Sequence, residues 1–313
     1  MKLAFLAFLV AAPVTAPPPK MPPIRETQAP ARSILFVGNS FTQGAFSPVQ
    51  QYRADAVTDL NGTGIGGVPA LFKTFAEQAG IDWSVALETQ GGSTLAFHHD
   101  ERRDRLHGRY DVVVLQEYST LDPARPGDPA SYDMNARRLA RLVTGLNPTV
   151  EVLLMATWSR ADQVYRSGTP WSGKPIEEMA TELRAAANAI DRSSPEVDGV
   201  IPVGEAWNRA MRSGFADANP YDGVSAGQVS LWASDHYHGS VYGSYLQALT
   251  VFGRVTGIDP LTLGAGERAA AELGISKARV TRMQAIASAQ LAAERRTTGR
   301  VRTAPPARAE QSR

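Results

Sequence analysis

Two short segments far apart in the chain hold the residue types that can turn a hydroxyl group into a nucleophile. An apolar run near the start ends at Gly38-Asn39-Ser40, and residues 234–240 read SDHYHGS. A serine is a weak nucleophile at neutral pH unless a neighbouring base takes its proton. Asp235 precedes His238 by three residues, so its carboxylate can accept the Nδ1 proton and leave Nε2 facing a serine. This spacing predicts attack by Ser40, with His238 as the base that Asp235 orients.

A tetrahedral intermediate would also need hydrogen-bond donors for its negatively charged oxygen. The backbone N–H of Ser40, at the expected start of a helix, is one candidate. The backbone N–H of Gly92 is a second, because a glycine lets the backbone approach a substrate closely. The side-chain amide of Gln116 is the expected third donor, and Ser119 and Asn39 are the alternatives.

The elements that must position these residues alternate along the chain between strands and helices. Apolar runs predict buried strands at residues 34–37, 83–87, 111–115, 150–156 and 200–203. Helical spacing predicts helices at residues 68–79, 132–146, 176–191, 239–256, 267–273 and 276–294. This alternation predicts an α/β fold, a three-layer α/β/α sandwich with a mostly parallel sheet. Ligands of such sheets bind beyond the carboxyl ends of the strands, where Ser40, Gly92 and Gln116 fall.

Four segments of the chain resemble sequence blocks of the SGNH/GDSL hydrolase superfamily. Gly38-Asn39-Ser40-Phe41 is similar to the first block, residues 90–94 (QGGST) to the second, and residues 235–238 (DHYH) to the fifth, which reads DxxH. The third block departs from its usual GxND text, because residues 115–119 read LQEYS, as in a poorly characterised bacterial branch. The resemblance spans residues 33–260. It implies a flavodoxin-like hydrolase fold, activity on esters or acetyl groups, and Gly92 as an oxyanion donor.

Composition and the two ends of the chain suggest how it is organised. The 313 residues contain no cysteine, which excludes thiolate chemistry, and the formal net charge of +1 does not favour nucleic acid as a partner. Residues 1–16 have the charged start, short apolar core and small-residue site of a secretory signal peptide. The expected organisation is a signal peptide (1–16), a Pro-rich linker (17–31), a hydrolase domain (32–264), a helical extension (265–295) and a disordered basic tail (296–313). We therefore expect a periplasmic or secreted protein without a stable membrane span.

Taken together, these patterns predict a serine esterase that needs neither a metal ion nor an organic cofactor. The expected partner is a small-molecule or carbohydrate ester, with O-acetyl groups on carbohydrate as the favoured substrate. Asn39, Trp158 and Glu117 are the expected substrate contacts, although the aromatic residues after the fourth strand could equally cap the core. The sequence leaves the oligomeric state open.

Other interpretations compete with the esterase. A catalytically inactive, carbohydrate-binding protein of the same fold would keep these blocks. A nucleotide-binding protein could use the loop at residues 62–67 (GTGIGG), although no convincing strand precedes that loop. His98 and His99 suggest a metal site, but adjacent residues of a strand point to opposite faces and no suitably spaced partner accompanies them. We expect these two histidines to lie in a surface segment.

Overall fold

A computed structural model describes residues 31–298, and within them the chain forms one parallel sheet between two layers of helices. The sheet has six strands in the order β2-β3-β1-β4-β5-β6. Their bounds are β1 (Arg32–Gly38), β2 (Thr58–Asp59), β3 (Trp83–Thr89), β4 (Val112–Leu115), β5 (Glu151–Ala156) and β6 (Gly199–Pro202). The predicted fold class is confirmed. Both edges of β1 are paired, β3 on one side and β4 on the other, so β1 lies inside the sheet.

The helices lie on both faces of the sheet. They are α1 (Ser40–Gln43), α2 (Gly67–Gln78), α3 (Leu95–Glu101), α4 (Ala130–Leu146), α5 (Ala161–Val164), α6 (Ile176–Ser193), α7 (Val203–Arg212), α8 (Val241–Thr256), α9 (Arg268–Glu272) and α10 (Lys277–Thr298). Four single turns of 3₁₀ helix join them, at Pro48–Gln51, Ala54–Ala56, Arg103–Leu106 and Pro260–Leu263.

The side chains of alternate residues in the central strand, β1, point into two separate hydrophobic cores. Ile34 and Phe36 point to the core formed with α2, α7, α8 and α10, while Leu35 and Val37 point to the core formed with α3, α4 and α6. All four side chains are buried, as a strand covered on both faces requires. Each such side chain contributes roughly 1.5–3 kcal/mol through the apolar surface it removes from water. The central strand is therefore a rigid base for the turn that follows it.

The C-terminal helices belong to the first of these cores. Val280, Met283 and Ala287 of α10 are buried in the same cluster as residues of α8. The segment expected as an extension thus packs directly on the sheet domain, and α10 continues to Thr298, into the residues expected as a tail. The segments predicted as a signal peptide, as a linker up to residue 30 and as a tail beyond 298 lie outside the described residues. No helix within 31–298 is both long and apolar enough to span a membrane.

Candidate active site

Ser40 lies on the turn that leaves the carboxyl end of β1. Asn39 is the N-cap residue of α1, and its Oδ1 accepts a hydrogen bond from Phe41 N at 3.2 Å. A glycine is needed just before it, because a Cβ at Gly38 would lie 2.6 Å from Thr42 Oγ1 and 2.7 Å from Gln116 Oε1. The turn therefore starts the short helix at Ser40 and directs its hydroxyl over the edge of the sheet.

Asp235 and His238 lie in the loop that enters α8, and this loop folds around the aspartate. Asp235 Oδ1 accepts the backbone N–H groups of Tyr237 and His238, both at 3.0 Å. The other carboxylate oxygen is 2.6 Å from His238 Nδ1, and His238 Nε2 is 2.9 Å from Ser40 Oγ. The structure therefore brings together the three residues that the sequence singled out, in the order carboxylate, imidazole, hydroxyl.

The charge state of Asp235 suits this arrangement. Burial pushes its pKa upward, but hydrogen bonds from the His238 side chain and from the His238 and Tyr237 backbone outweigh burial and hold the pKa below its ordinary value. An ionised Asp235 accepts the proton on Nδ1, which leaves Nε2 to accept the proton of the Ser40 hydroxyl. Such a group can generate an alkoxide nucleophile when a carbonyl approaches.

Two backbone N–H groups are candidate oxyanion donors. Those of Ser40 and Gly92 donate to no other group within the described part of the chain. Gly92 has a φ of 72°, a left-handed conformation that favours glycine, and nothing lies within 4 Å of the Cβ it lacks. Asn39 Nδ2 donates to Ser93 O at 2.9 Å, which ties the Gly92 loop to the Ser40 turn.

The expectation of a third donor on Gln116 is corrected by the structure. Gln116 Oε1 accepts Asn39 N and Thr42 Oγ1, each at 3.0 Å, and its amide nitrogen donates to Glu117 O. With 1% of its surface exposed, Gln116 fastens the Ser40 turn to the end of β4 and presents no donor to a substrate. The alternatives are not placed to donate either, because Asn39 Nδ2 donates to Ser93 O at 2.9 Å and Ser119, 1% exposed, lies in the interior beside Arg160.

Trp158 is a structural residue, contrary to its predicted substrate contact. Its ring is 1% exposed and lies between Phe41 and Trp207, with parallel stacking at 4.0 and 4.3 Å between ring centroids. Its Nε1 donates to Tyr237 O at 3.2 Å. Trp158 therefore fixes the Asp235–His238 loop through the Tyr237 carbonyl. Neither face of its ring is open to a sugar.

Arg160 supports the same loop from a neighbouring position that the sequence did not reveal. Its guanidinium lies 3.6 Å from the centroid of the Tyr237 ring and forms an ion pair with Asp162 at 2.6 Å. A buried cation above an aromatic face gains more from that contact than an exposed one. The residue before His238 is thus fixed through both its carbonyl and its ring.

Glu117 and Asn39 are also buried, at 4% and 3% exposure, and their hydrogen bonds go to neighbouring backbone groups of the protein. Glu117 Oε1 accepts the backbone N–H groups of Leu95, at 3.1 Å, and Tyr118, at 2.6 Å. Desolvation by burial outweighs these bonds and raises the pKa of Glu117 to about 7. The side chain therefore fixes the start of α3 from the end of β4.

The two weaker signals of the sequence take structural roles. In the glycine-rich loop, Asp59 Oδ2 accepts the N–H groups of Thr63, at 2.9 Å, and Ile65, at 3.2 Å, so amides that would cradle a phosphate are already bound by a carboxylate. His98 lies in α3 and is fully buried, which corrects the expected surface segment. Residues 31–298 hold no cluster of three or more side chains that could bind a metal ion.

Phe46 is a second residue beside the site that the sequence did not reveal. Its ring stacks on the His238 imidazole, with 4.5 Å between centroids and 21° between planes, and it is 67% exposed. The exposed face of this ring therefore lies directly beside the proposed base. The sequence contains no periodic pattern that would have pointed to it.

Comparison with solved structures supports the fold. No protein-family model matches the chain, and no curated protein matches it. A DUF4886 family protein from Bacteroides uniformis aligns over 84% of this chain and 95% of its own, with 18% identity and a TM-score of 0.59. A protein from Parabacteroides merdae described as a GDSL-like lipase aligns over 72% and 95%, with 18% identity and a TM-score of 0.50. The chain thus has the fold of the SGNH/GDSL hydrolases, as its sequence blocks predicted.

Proposed function

We propose that this protein is a serine esterase that hydrolyses carboxylic esters through a covalent acyl-enzyme on Ser40. One observation carries the proposal, namely the continuous hydrogen-bonded chain from Asp235 through His238 to Ser40. Residues 198 positions apart meet at 2.9 Å in a geometry that general-base activation of a serine requires.

In the proposed mechanism Ser40 Oγ attacks the carbonyl carbon of the ester while His238 Nε2 takes the hydroxyl proton. The carbonyl oxygen becomes negatively charged and accepts hydrogen bonds from the N–H groups of Ser40 and Gly92. His238 then gives its proton to the departing alcohol as the tetrahedral intermediate collapses to the acyl-enzyme. A water molecule, deprotonated by the same imidazole, attacks the acyl-enzyme and releases the acid and free Ser40.

The proposed substrate is an ester of a short acyl group, with O-acetyl groups on carbohydrate as the first choice. The exposed face of Phe46 beside His238 supports this choice, because a flat apolar ring suits the apolar face of a sugar. Tyr221, 41% exposed with its ring centroid 4.3 Å from that of His236, supplies a second aromatic ring next to the same loop. We propose that the enzyme meets this substrate outside the cytoplasm, as the pattern of residues 1–16 suggests.

The experiment compares the wild-type protein with Ser40→Ala and with Ser33→Ala as the matched control. The Ser33 hydroxyl donates to Asp111 Oδ2 at 2.9 Å near the start of β1, at the opposite end of the strand from Ser40, so its loss leaves the site untouched. We expect wild-type protein and Ser33→Ala to hydrolyse p-nitrophenyl acetate and acetylated oligosaccharides, and Ser40→Ala to be inactive with an unchanged circular dichroism spectrum. Equal hydrolysis by Ser40→Ala, or binding of oligosaccharide by a wild-type protein that hydrolyses neither substrate, contradicts the proposal.

A further inference from the structure

A second serine–histidine–acid arrangement lies directly behind the Gly92 loop. His98 Nε2 is 2.8 Å from Ser93 Oγ, and His98 Nδ1 is hydrogen-bonded to Glu88 Oε2. Glu88 is near the end of β3, His98 is in α3, and Ser93 lies in the loop between them. The side chains of Glu88 and His98 are fully buried, and Ser93 is 8% exposed. We call these three residues the Ser93 relay.

In the Ser93 relay, the hydrogen bond between imidazole and hydroxyl has the opposite direction to the one between His238 and Ser40. The Ser93 hydroxyl donates its one proton to Gln90 O at 2.8 Å, so it cannot also donate to an imidazole. His98 Nε2 must therefore carry a proton and donate to Ser93 Oγ. An imidazole that donates cannot act as a base towards that hydroxyl, so the arrangement does not activate Ser93. Its function therefore depends on the segment of chain that it holds in place.

The Ser93 relay holds the segment that carries the second oxyanion donor. The Ser93 hydroxyl closes the turn onto Gln90, while the Ser93 carbonyl accepts Asn39 Nδ2 at 2.9 Å. Gly92 lies between Gln90 and Ser93, and its left-handed φ of 72° sets the direction of its free N–H. Anchoring both ends of so short a turn leaves that N–H little freedom to reorient.

Stability alone does not account for burying these ionisable and polar groups. Burial of ionisable side chains costs desolvation that their contacts repay poorly, and apolar residues of similar size often stabilise a fold as well or better. Glu88 Oε1 has no hydrogen-bond partner within the residues described and lies 4.0 Å from Arg102 Nε. The cost of burying these groups is best explained by the geometry that they impose on the Gly92 loop.

We infer that Glu88, His98 and Ser93 are positioning residues that orient the Gly92 N–H towards the oxyanion. The inference rests on the proposed esterase function and adds to it the means by which the oxyanion donor is pre-organised. Pre-organised donors stabilise the transition state more than the bound substrate, so a misplaced donor lowers kcat and leaves KM nearly unchanged.

The test uses Ser93→Ala, which removes the hydroxyl but keeps the Glu88–His98 pair. Ser93→Thr restores a hydroxyl, and Thr250→Val is the matched control, since it removes a buried hydroxyl two and a half turns along α8 from its start. Active sites are titrated with a fluorophosphonate so that kcat is counted per reactive serine. We expect Ser93→Ala to lose about 10- to 100-fold in kcat with little change in KM. Affinity for a trifluoromethyl ketone, which forms a tetrahedral oxyanion, should fall by the same factor, while Ser93→Thr and Thr250→Val stay near wild type.

Two results on activity and labelling would each overturn the inference. One is a wild-type kcat per titrated site in Ser93→Ala, which would assign the cluster to stability alone. The other is fluorophosphonate labelling of Ser93 in Ser40→Ala, which would make Ser93 a nucleophile. Amide hydrogen exchange of residue 93, whose N–H donates to Gln90 O at 3.2 Å, tests the same positioning without any activity, and we expect faster exchange in Ser93→Ala only. Unchanged exchange in Ser93→Ala would contradict the positioning role. A wild-type protein that neither hydrolyses esters nor reacts with the fluorophosphonate would contradict the proposed function instead.

Discussion

The aromatic ring of Phe46 lies nearly parallel to the imidazole of His238, with 4.5 Å between centroids, although two thirds of the Phe46 surface is exposed. The ring covers one face of the proposed base and leaves its Nε2 directed at Ser40. Phe46 adopts a φ of 63°, which is unfavourable for a side chain of this size. A strained, solvent-exposed aromatic residue at this position indicates a role in the site rather than in the core.

Phe46→Ala should therefore weaken catalysis more than it weakens the fold. Loss of a stacked ring worth about 0.5–1.5 kcal/mol corresponds to a roughly 2- to 10-fold fall in kcat/KM. The thermal midpoint should fall by no more than about 5 °C, since the side chain buries little surface. Leu261→Ala, at another exposed apolar side chain, serves as the control. A wild-type kcat/KM of Phe46→Ala on every ester tried would show that the stack contributes nothing to catalysis.

Asp235→Asn should remove the orientation of His238 while keeping the loop. An asparagine Oδ1 can still accept the Tyr237 and His238 N–H groups, but its amide donates towards Nδ1 and favours the wrong tautomer. The kcat on p-nitrophenyl acetate should fall by about 10⁴-fold, the size of the effect in serine proteases. Asp222→Asn, in the exposed loop before it, should leave kcat unchanged. A loss of less than tenfold for Asp235→Asn would remove the carboxylate from the mechanism.

Trp158→Phe distinguishes a structural role from a substrate contact. The smaller ring keeps the stack between Phe41 and Trp207 but loses the hydrogen bond to the Tyr237 carbonyl. The free energy of unfolding measured in urea should fall by about 1 kcal/mol. The KM for acetylated oligosaccharides should not change relative to that for p-nitrophenyl acetate. A selective rise in the oligosaccharide KM would show that this residue touches the sugar after all.

Glu117→Gln should change how stability depends on pH. Burial raises the pKa of Glu117 from its ordinary value of 4.5 to about 7, so between these values the folded protein binds more protons than the unfolded chain. The free energy of unfolding of the wild type should consequently decrease as pH rises through that window. The glutamine variant lacks this loss and should be more stable than wild type by on the order of 3 kcal/mol at pH 8, and by much less at pH 4. An equal difference at both pH values would contradict the burial of the charge.

Much of the fold and the central triplet could be predicted from local patterns, while the supporting contacts could not. The strand before Ser40 and the spacing of Asp235 and His238 are both readable within a few residues. The two-residue β2 and the short α3 have too few residues to show a period, and both were missed. Burial of Trp158, Gln116 and His98 depends on segments that meet only in the folded chain. Their residue types alone fitted a substrate contact, an oxyanion donor and a surface group equally well.

Fluorophosphonate labelling with the modified residue mapped by mass spectrometry is the most direct test of the central claim. The probe reacts with a serine only when a base has activated its hydroxyl. We expect a single modification at Ser40 in the wild type, none in Ser40→Ala, and strongly slowed labelling in His238→Ala. Labelling of another residue, or wild-type labelling rates in His238→Ala, would contradict activation of Ser40 by the imidazole that lies 2.9 Å from it.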